Sequence, residues 1–472
     1  MIFYPLSLAV LGIWLVLILR RLDDGFTVAI ALLPFGMFAA IALPAVGGLS
    51  LIASSLIAAL TGGLVIVASL LGRGAPVLTA STVVLGIYAA YAAFSAVVLV
   101  RLFSGQFEVF TLARSVQGVR INPFYASVPV PLRPGSSNIS QTFYILLSFL
   151  AFLTLKDSLR RRGVAWGDRA LAIAGALNIV LALMDLAKLD PILEQVRTAK
   201  YALANEQTMG GFARIIGGYS EPSAFGGASA AFFAYFMAAF IAGRRGRDLA
   251  LGIGNGLCTI AALSATGLFA MGVAGMLIFF TALPAILRPQ SRLVMIGSIV
   301  GVCLFVSGIC LLLIFTPLPD VAGSLFERIF VAKADSSSGI ERKAWAVSGL
   351  TAFRETWGLG AGAGSLRSNG LVAVLLGSVG LPGTLLLVAF LWLAVGRSWR
   401  GAEAGTYQAA RAGVVALLAG AALSGTSPDP GLLMIVFCAI ACAIREHQEV
   451  PAPVWAGAHA PRKDGQGLSR TA

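Results

Sequence analysis

Apolar runs of membrane-spanning length follow one another along most of the chain. They fall near 1–19, 26–46, 49–71, 77–100, 139–155, 169–187, 222–242, 249–263, 266–287, 293–316, 371–396, 410–425 and 431–444. About 20 apolar residues in helical form cross the hydrocarbon core. A helix also satisfies its own backbone groups there, where no water can. Runs 249–263 and 266–287 read either as two spans or as one bent unit. The last pair, split by Ser427-Pro428-Asp429-Pro430, is equally ambiguous. The pattern predicts an all-α, polytopic transmembrane protein of about 12–13 spans.

The polar positions between the runs orient it. Arg20/Arg21, Arg73, Lys156/Arg160/Arg161/Arg162, Arg244/Arg245/Arg247, Arg288/Arg292 and Arg397/Arg400 fall on one side, together with the basic tail. By the positive-inside rule that side is the cytoplasm. Met1 to Leu19 lacks a basic n-region and is followed by Arg20, which predicts a retained span. The reading gives a transmembrane domain over 1–444 and a cytoplasmic, disordered tail over 445–472. Three longer segments, near 101–138, 188–221 and 317–370, face the other side. After Pro191, Ile192, Val196, Ala199 and Leu203 recur at helical spacing and predict a surface helix. Trp345, Gly349, Phe353 and Trp357 predict another.

Composition supports the membrane assignment. Hydrophobic residues make up 58% and charged residues 12%, against about 25% charge in soluble domains; mean hydropathy is +0.88. The net charge of +13 is spread in short inter-span clusters, which argues for a bilayer partner and against nucleic acid. All five cysteines lie inside apolar runs, so no disulfide framework is expected. The two histidines, His447 and His459, are both in the tail. An outer Ser-His-Asp triad or His-ligated metal is thereby excluded. The outer segments carry no Asp-x-Asp pair, so neither metal nor cofactor is expected.

The spans are nearly free of charge; Asp185 and Asp429 sit near outer span ends. That argues against a proton-coupled transporter. The outer segments hold the chemistry. Arg214-Ile-Ile-Gly-Gly-Tyr-Ser-Glu-Pro-Ser223 leads into a span, with Ser220 placed as N-cap and Pro222 in the first turn. Glu221 reads either as a carboxylate complementing the helix dipole or as a base beside Arg214. The third segment carries Arg328, Lys333, Arg342, Lys343, Arg354 and Arg367. Arg342 and Arg354 on adjacent helix faces can converge on one anion, which guanidinium chelates bidentately; the alternative is attraction to anionic headgroups. Gly358-Leu-Gly360-Ala-Gly362-Ala-Gly364-Ser365 has no βαβ context for a nucleotide site. It reads as a turn whose amides approach a phosphate or sugar, or as a tight turn packed between helices.

Taken in order, several motifs resemble the O-antigen polymerase and ligase superfamily over roughly 200–395. They are Arg214, Gly217/Gly218 and Ser220-Glu221-Pro222-Ser223, then Leu263-Ser264-Ala265-Thr266-Gly267-Leu268. Next come Arg342-Lys343-Ala344-Trp345, Phe353-Arg354-Glu355, Gly358-Leu359-Gly360-Ala361-Gly362, Ser365-Leu366-Arg367-Ser368-Asn369, and Gly377 and Gly380. The resemblance implies a GT-C-like glycosyltransferase at the outer face of the bacterial inner membrane. Its substrate would be a polyprenyl-pyrophosphate-linked oligosaccharide, with chain-length regulator and flippase proteins as partners. It implies that Arg214 and Arg342 engage pyrophosphate. The ligase branch carries a histidine in the late loop, where this chain has Arg367-Ser368-Asn369, so a Wzy-type polymerase is favoured. Glu221 is the preferred base, ahead of Glu355 and Glu341. Arg354, Arg367, Lys343, Gly360 and Gly362 are assigned to substrate binding. The alternatives are a ligase that transfers glycan to lipid A core or protein, and a lipid-linked glycan flippase.

The charge pattern sets the topology test. An alkaline phosphatase fusion after Ser336 should be active and one after Glu403 silent; the reverse result would invert the orientation.

Overall fold

The structure, a computed structural model, describes residues 2–43, 49–111, 129–199, 208–209, 212–286 and 337–449. The span expected at 293–316 lies outside the described residues. So do Arg288, Arg292, Arg328, Lys333 and Leu203, and the tail beyond 449.

The described residues form fourteen helices and very little sheet. The helices are α1 (Pro5–Arg20), α2 (Gly25–Ala31), α3 (Ala53–Ala68), α4 (Ala80–Phe94, continued by a π turn), α5 (Ser136–Arg162), α6 (Val164–Leu186) and α7 (Asp190–Val196). They continue with α8 (Pro222–Gly243), α9 (Gly246–Ala261), α10 (Ala265–Ile286), α11 (Ser337–Glu355), α12 (Leu371–Leu391), α13 (Ala404–Ser424) and α14 (Leu432–Glu449). Eight are long and apolar enough to cross a membrane, namely α3 to α6, α8, α10, α12 and α13. The chain is a multi-pass helical membrane protein. Helices α1 and α9, with 16 residues each, are not among the eight.

One expected span is not a helix. Run 26–46 holds only α2, a turn through Pro34 and Gly36, and strand β2 (Ala39–Leu43). This strand pairs antiparallel with β3 (Leu49–Ile52) on one edge and with β1 (Ile2–Phe3) on the other. Pro34 has no N–H for the carbonyl one turn back, so the helix cannot continue. Beyond it, an apolar run as short as 39–43 suits a buried strand as well as a helix. Two further boundaries differ. Helix α7 buries Leu193 and leaves Ile192 exposed, so the expected apolar stripe is not the packed one. At the other end, α14 runs to Glu449 with Arg445 and Glu446 buried, so 445–449 belong to the bundle and not to the tail.

Helix α8 is the hub, packed against α9, α10 and α13. Its Phe225, Phe232, Tyr235 and Phe236 are fully buried, and Tyr235 stacks on Phe437 of α14 at 5.4 Å. Gly267 of α10 sits against Gly226 of α8, as small residues do where membrane helices cross closely.

The basic clusters are tied by contacts at one end of the bundle. Arg161 and Arg162 pair with Asp23 and Asp24, and Arg247 pairs with Asp168 at 2.7 Å. Lys156, fully buried, meets Glu446 at 2.9 Å and donates to Thr79 and Thr82. Ser81 donates to the same carboxylate at 2.6 Å. Here α4, α5 and α14 are joined by one buried ion pair. Removing one member strands the other charge in low dielectric, at a cost of about 3–5 kcal/mol. Lys156→Met should therefore lower the unfolding temperature in detergent sharply, and Lys156→Met with Glu446→Leu should recover most of it. Equal losses for single and double variants would show that the pair is not coupled.

Candidate functional site

The opposite end of the bundle is built on Asp185, at the end of α6. Its Oδ2 accepts the amides of Ile216 (2.7 Å) and Gly217 (3.0 Å). Its Oδ1 accepts from Arg197 at 2.6 Å, and Arg197 also donates twice to the Gly217 carbonyl, at 2.9 and 2.6 Å. The Gly218 carbonyl accepts the Met37 amide at 2.8 Å. A Cβ on Gly218 would stand 2.3 Å from the Pro34 carbonyl, so only glycine fits. The segment leading into α8 is thus clamped by a buried ion pair and by the turn that ended α2. Tyr219 closes the clamp, its hydroxyl on the Leu33 carbonyl at 3.2 Å and its phenol pushed up by burial.

The clamp sets Arg214 and Glu221. Glu221, not Ser220, occupies the N-cap position, with Pro222 at the first helical position as expected. Its carboxylate does not cap the helix; it accepts from Ser223 Oγ. Arg214 is partly buried and donates to the Ala262 carbonyl at 3.4 Å, next to Leu263-Ser264.

Residues 337–370 approach this segment from another part of the chain. Helix α11 forms over Trp345, Gly349 and Phe353 as their spacing predicts and buries Trp345 and Ala352, but it ends at Glu355, so Trp357 lies beyond it, exposed in a turn. Arg367 lies flat over the Trp345 ring, 3.8 Å from the guanidinium carbon to the centroid. Its own amide donates to the Phe110 carbonyl at 2.6 Å. Trp345 Nε1 and Ser368 Oγ beside it are buried without a hydrogen-bond partner.

Arg214, Glu221, Glu341, Arg342 and Arg367 then come within electrostatic reach of one another. Burial lowers the Arg214 affinity for its proton, Glu221 opposes this and Arg342 adds to it. Arg367 is lowered by burial too, against Glu341 and Glu221, with Arg342 again repelling. Among the described residues, three guanidiniums and two carboxylates are thus coupled in partly desolvated surroundings. Arginine stays charged through such shifts, so these five side chains together carry net positive charge.

The other expected site residues are elsewhere. Lys343, Arg354 and Glu355 are exposed on α11 and outside the cluster. Gly360 and Gly362 are buried, and their amides are taken. Helix α12 breaks at Gly380 (φ 63°, ψ −168°), two residues before Pro382. Pro382 has no N–H for the Ser378 carbonyl, which instead accepts the Gly362 amide at 2.9 Å. Leu381 donates to the Gly358 carbonyl at 2.8 Å, and the Gly377 carbonyl accepts from Ala361 at 2.8 Å. Gly360 donates to Thr356 Oγ1 at 2.9 Å. A Cβ on Gly360 would lie 2.4 Å from the Gly380 nitrogen. The glycine run is the tight turn packed between helices, and it repairs the broken helix.

A cavity of about 260 Å³ opens beside the cluster, between Glu221 at the head of α8 and the α13–α14 connection. The sequence reading had placed Asp429 only near a span end; here it lines this cavity. Burial holds its carboxyl above the usual range, opposed by hydrogen bonds from Ser148 and the Gly431 backbone. Spacing gives no sign of this, because the cavity walls come from segments some 200 residues apart in sequence.

Comparison with known proteins gave no match: no family model, no curated protein and no solved structure is significantly similar to the chain.

Asp185 is the testable anchor. Asp185→Ala leaves Arg197, whose side chain is 2% exposed, without its carboxylate, and frees the Ile216 and Gly217 amides. The expected cost is about 3–5 kcal/mol, read as a lower unfolding temperature in detergent. Asp185→Asn, which keeps an acceptor oxygen, should lose less. Wild-type stability in both variants would mean that the clamp does not hold the segment.

Proposed function

We propose that the protein is a polysaccharide polymerase that joins polyprenyl-pyrophosphate-linked oligosaccharide repeats at the outer face of a bacterial inner membrane. The observation that carries this reading is the electrostatic coupling of Arg214, Arg342 and Arg367, from two distant segments, with one another and with Glu221. Excess, partly desolvated guanidinium charge suits a multiply charged anion with several oxygens. The motif order that resembles the O-antigen polymerase and ligase superfamily supplies the substrate class. A GT-C-like architecture, and chain-length regulator and flippase partners, belong to the same reading.

The chemistry follows from charge. A sugar hydroxyl of the acceptor attacks the anomeric carbon of the donor; a C–O bond forms there as the bond to pyrophosphate breaks. Negative charge grows on the departing pyrophosphate oxygen, and Arg342 with Arg214 is placed to stabilise it. Preorganised donors of this kind need no reorganisation when the charge appears. Arg367, stacked on Trp345, holds its guanidinium plane fixed and orients the diphosphate. Glu221 accepts the hydroxyl proton. Its hydrogen bond from Ser223 keeps one carboxylate oxygen aligned.

Losing one such donor typically costs about 3–4 kcal/mol, or 10²–10³ in rate. Arg342→Ala should abolish long polymer while single lipid-linked repeats persist and the protein accumulates normally in the membrane. Arg342→Lys should recover little, because lysine lacks the planar fork. Attraction to headgroups counts charge and not shape. Wild-type polymer from Arg342→Lys, seen on a gel at matched abundance, would therefore overturn the pyrophosphate role.

A further inference from the structure

The cavity beside the arginine cluster is not used by the chemistry above, except where Glu221 forms part of its rim. The rest of the rim comes from the α13–α14 connection, where Ser424, Thr426, Ser427 and Asp429 place three hydroxyls and a carboxylate around one opening. Deeper in, Leu387, Leu418 and Met434 give apolar walls. The volume of about 260 Å³ lies just below the roughly 300–1,000 Å³ usual for small-molecule sites. It suits one ring-sized group, not an oligosaccharide.

The rim is built, not incidental. Two prolines, Pro428 and Pro430, limit the backbone on either side of Asp429. Tyr88 donates to the Pro428 carbonyl at 2.5 Å. Ser427 donates to Gln141 at 2.6 Å and accepts the Asp429 amide at 3.1 Å. Ser148 donates to Asp429 Oδ1 at 2.7 Å. Helices α4 and α5 therefore hold the loop, and the Asp429 carboxyl is held by Ser148 and the Gly431 backbone while the residue borders the cavity. A carboxyl and several hydroxyls above apolar walls match a sugar ring, which offers hydroxyls at its edge and C–H groups on its face.

We propose that this cavity seats the terminal sugar of the acceptor, with Asp429 and the hydroxyls of Thr426 and Ser427 gripping its ring hydroxyls and Glu221 facing the one that attacks. The inference rests on the polymerase reading. It separates the two substrates: arginines bind the donor's diphosphate, and the Ser427-Pro428-Asp429-Pro430 loop selects the acceptor sugar. Asp429 is a binding residue here and takes no proton in the reaction.

The test uses full-length protein in detergent with two probes. The first is polyprenyl pyrophosphate without sugar, titrated for binding. The second is the lipid-linked repeat unit isolated from a host strain lacking the enzyme, followed as polymer formed. Asp429→Asn keeps an acceptor for Ser148, and Thr426→Val changes only an exposed hydroxyl. Each should cut polymer formation about 10- to 100-fold, the range for a lost hydrogen bond to or near a charged group. Both should bind the sugarless pyrophosphate like wild type, whereas Arg342→Ala should bind it poorly. If Asp429→Asn fails to accumulate, Thr426→Val decides. Wild-type polymerisation by Thr426→Val and by any stable Asp429→Asn, with Arg342→Ala inactive, overturns the acceptor seat alone. If Leu418→Trp also weakens binding of the sugarless lipid, the cavity holds an isoprenoid chain instead. Should Arg342→Ala polymerise normally as well, the polymerase reading itself falls.

Discussion

A backbone carbonyl inside a membrane bundle has no water to turn to, and the half of this protein that carries Arg367 is organised around that constraint. Helix α12 is broken at Gly380 and Pro382, which leaves the carbonyls of Gly377 and Ser378 without their helical donors. The glycine run 358–362 supplies them through the amides of Ala361 and Gly362 and takes the Leu381 amide in return. The exchange works only if two backbones approach to contact distance, which is why glycine stands on both sides of it. From there the chain has little freedom. Asn138 donates to the Ala363 carbonyl and to Ser365 Oγ, both at 2.8 Å, and Ser137 to the Gly364 carbonyl at 2.7 Å. Asn369 and the Gly370 amide then reach the end of α13. Arg367 sits inside this strap. It is carried by a segment as firmly held as a helix, which is what a site needs to keep a guanidinium in register.

The helical membrane character was legible because it depends on composition summed over long windows, where each leucine or arginine weighs little. Helix α11 was legible from the spacing of Trp345, Gly349 and Phe353. Features decided by single partners were not. Run 26–46 looks like the other apolar runs, and only the fit of β2 between β1 and β3 makes it a strand. Asp185 looked like a stray charge at a span end, because its partner Arg197 and the amides of Ile216 and Gly217 reach it only in the fold. Lys343 and Arg354 share a helix with Arg342, yet they are exposed and outside the cluster. Sequence distance along a helix fixes a face; it does not say which face the partner covers. The glycine run was correctly seen as a turn, but nothing in its own residues tells whether its amides serve a ligand or a broken helix sixteen residues on.

The distribution of charge separates surface chemistry from transport. Among the described residues, the Asp, Glu, Lys and Arg of the spanning helices all lie within roughly two turns of a helix end. The polar network of Asn178, Ser229 and Asn255 that joins α6, α8 and α9 is neutral. A carrier that moves a charged lipid headgroup through the bundle needs a charged path, and an ionisable residue in mid-membrane is retained only where it has such work. The two ends of the bundle also differ in kind. On the basic-cluster side several cations meet carboxylates in pairs, as Lys156 with Glu446, Arg162 with Asp24 and Arg247 with Asp168. On the other side, among the described residues, three arginines share two glutamates. A buried pair stabilises the fold only while both partners are present. On the polymerase reading proposed above, the arginines at the second end repel one another in the free protein and a bound diphosphate relieves that repulsion, most strongly as its charge grows on departure.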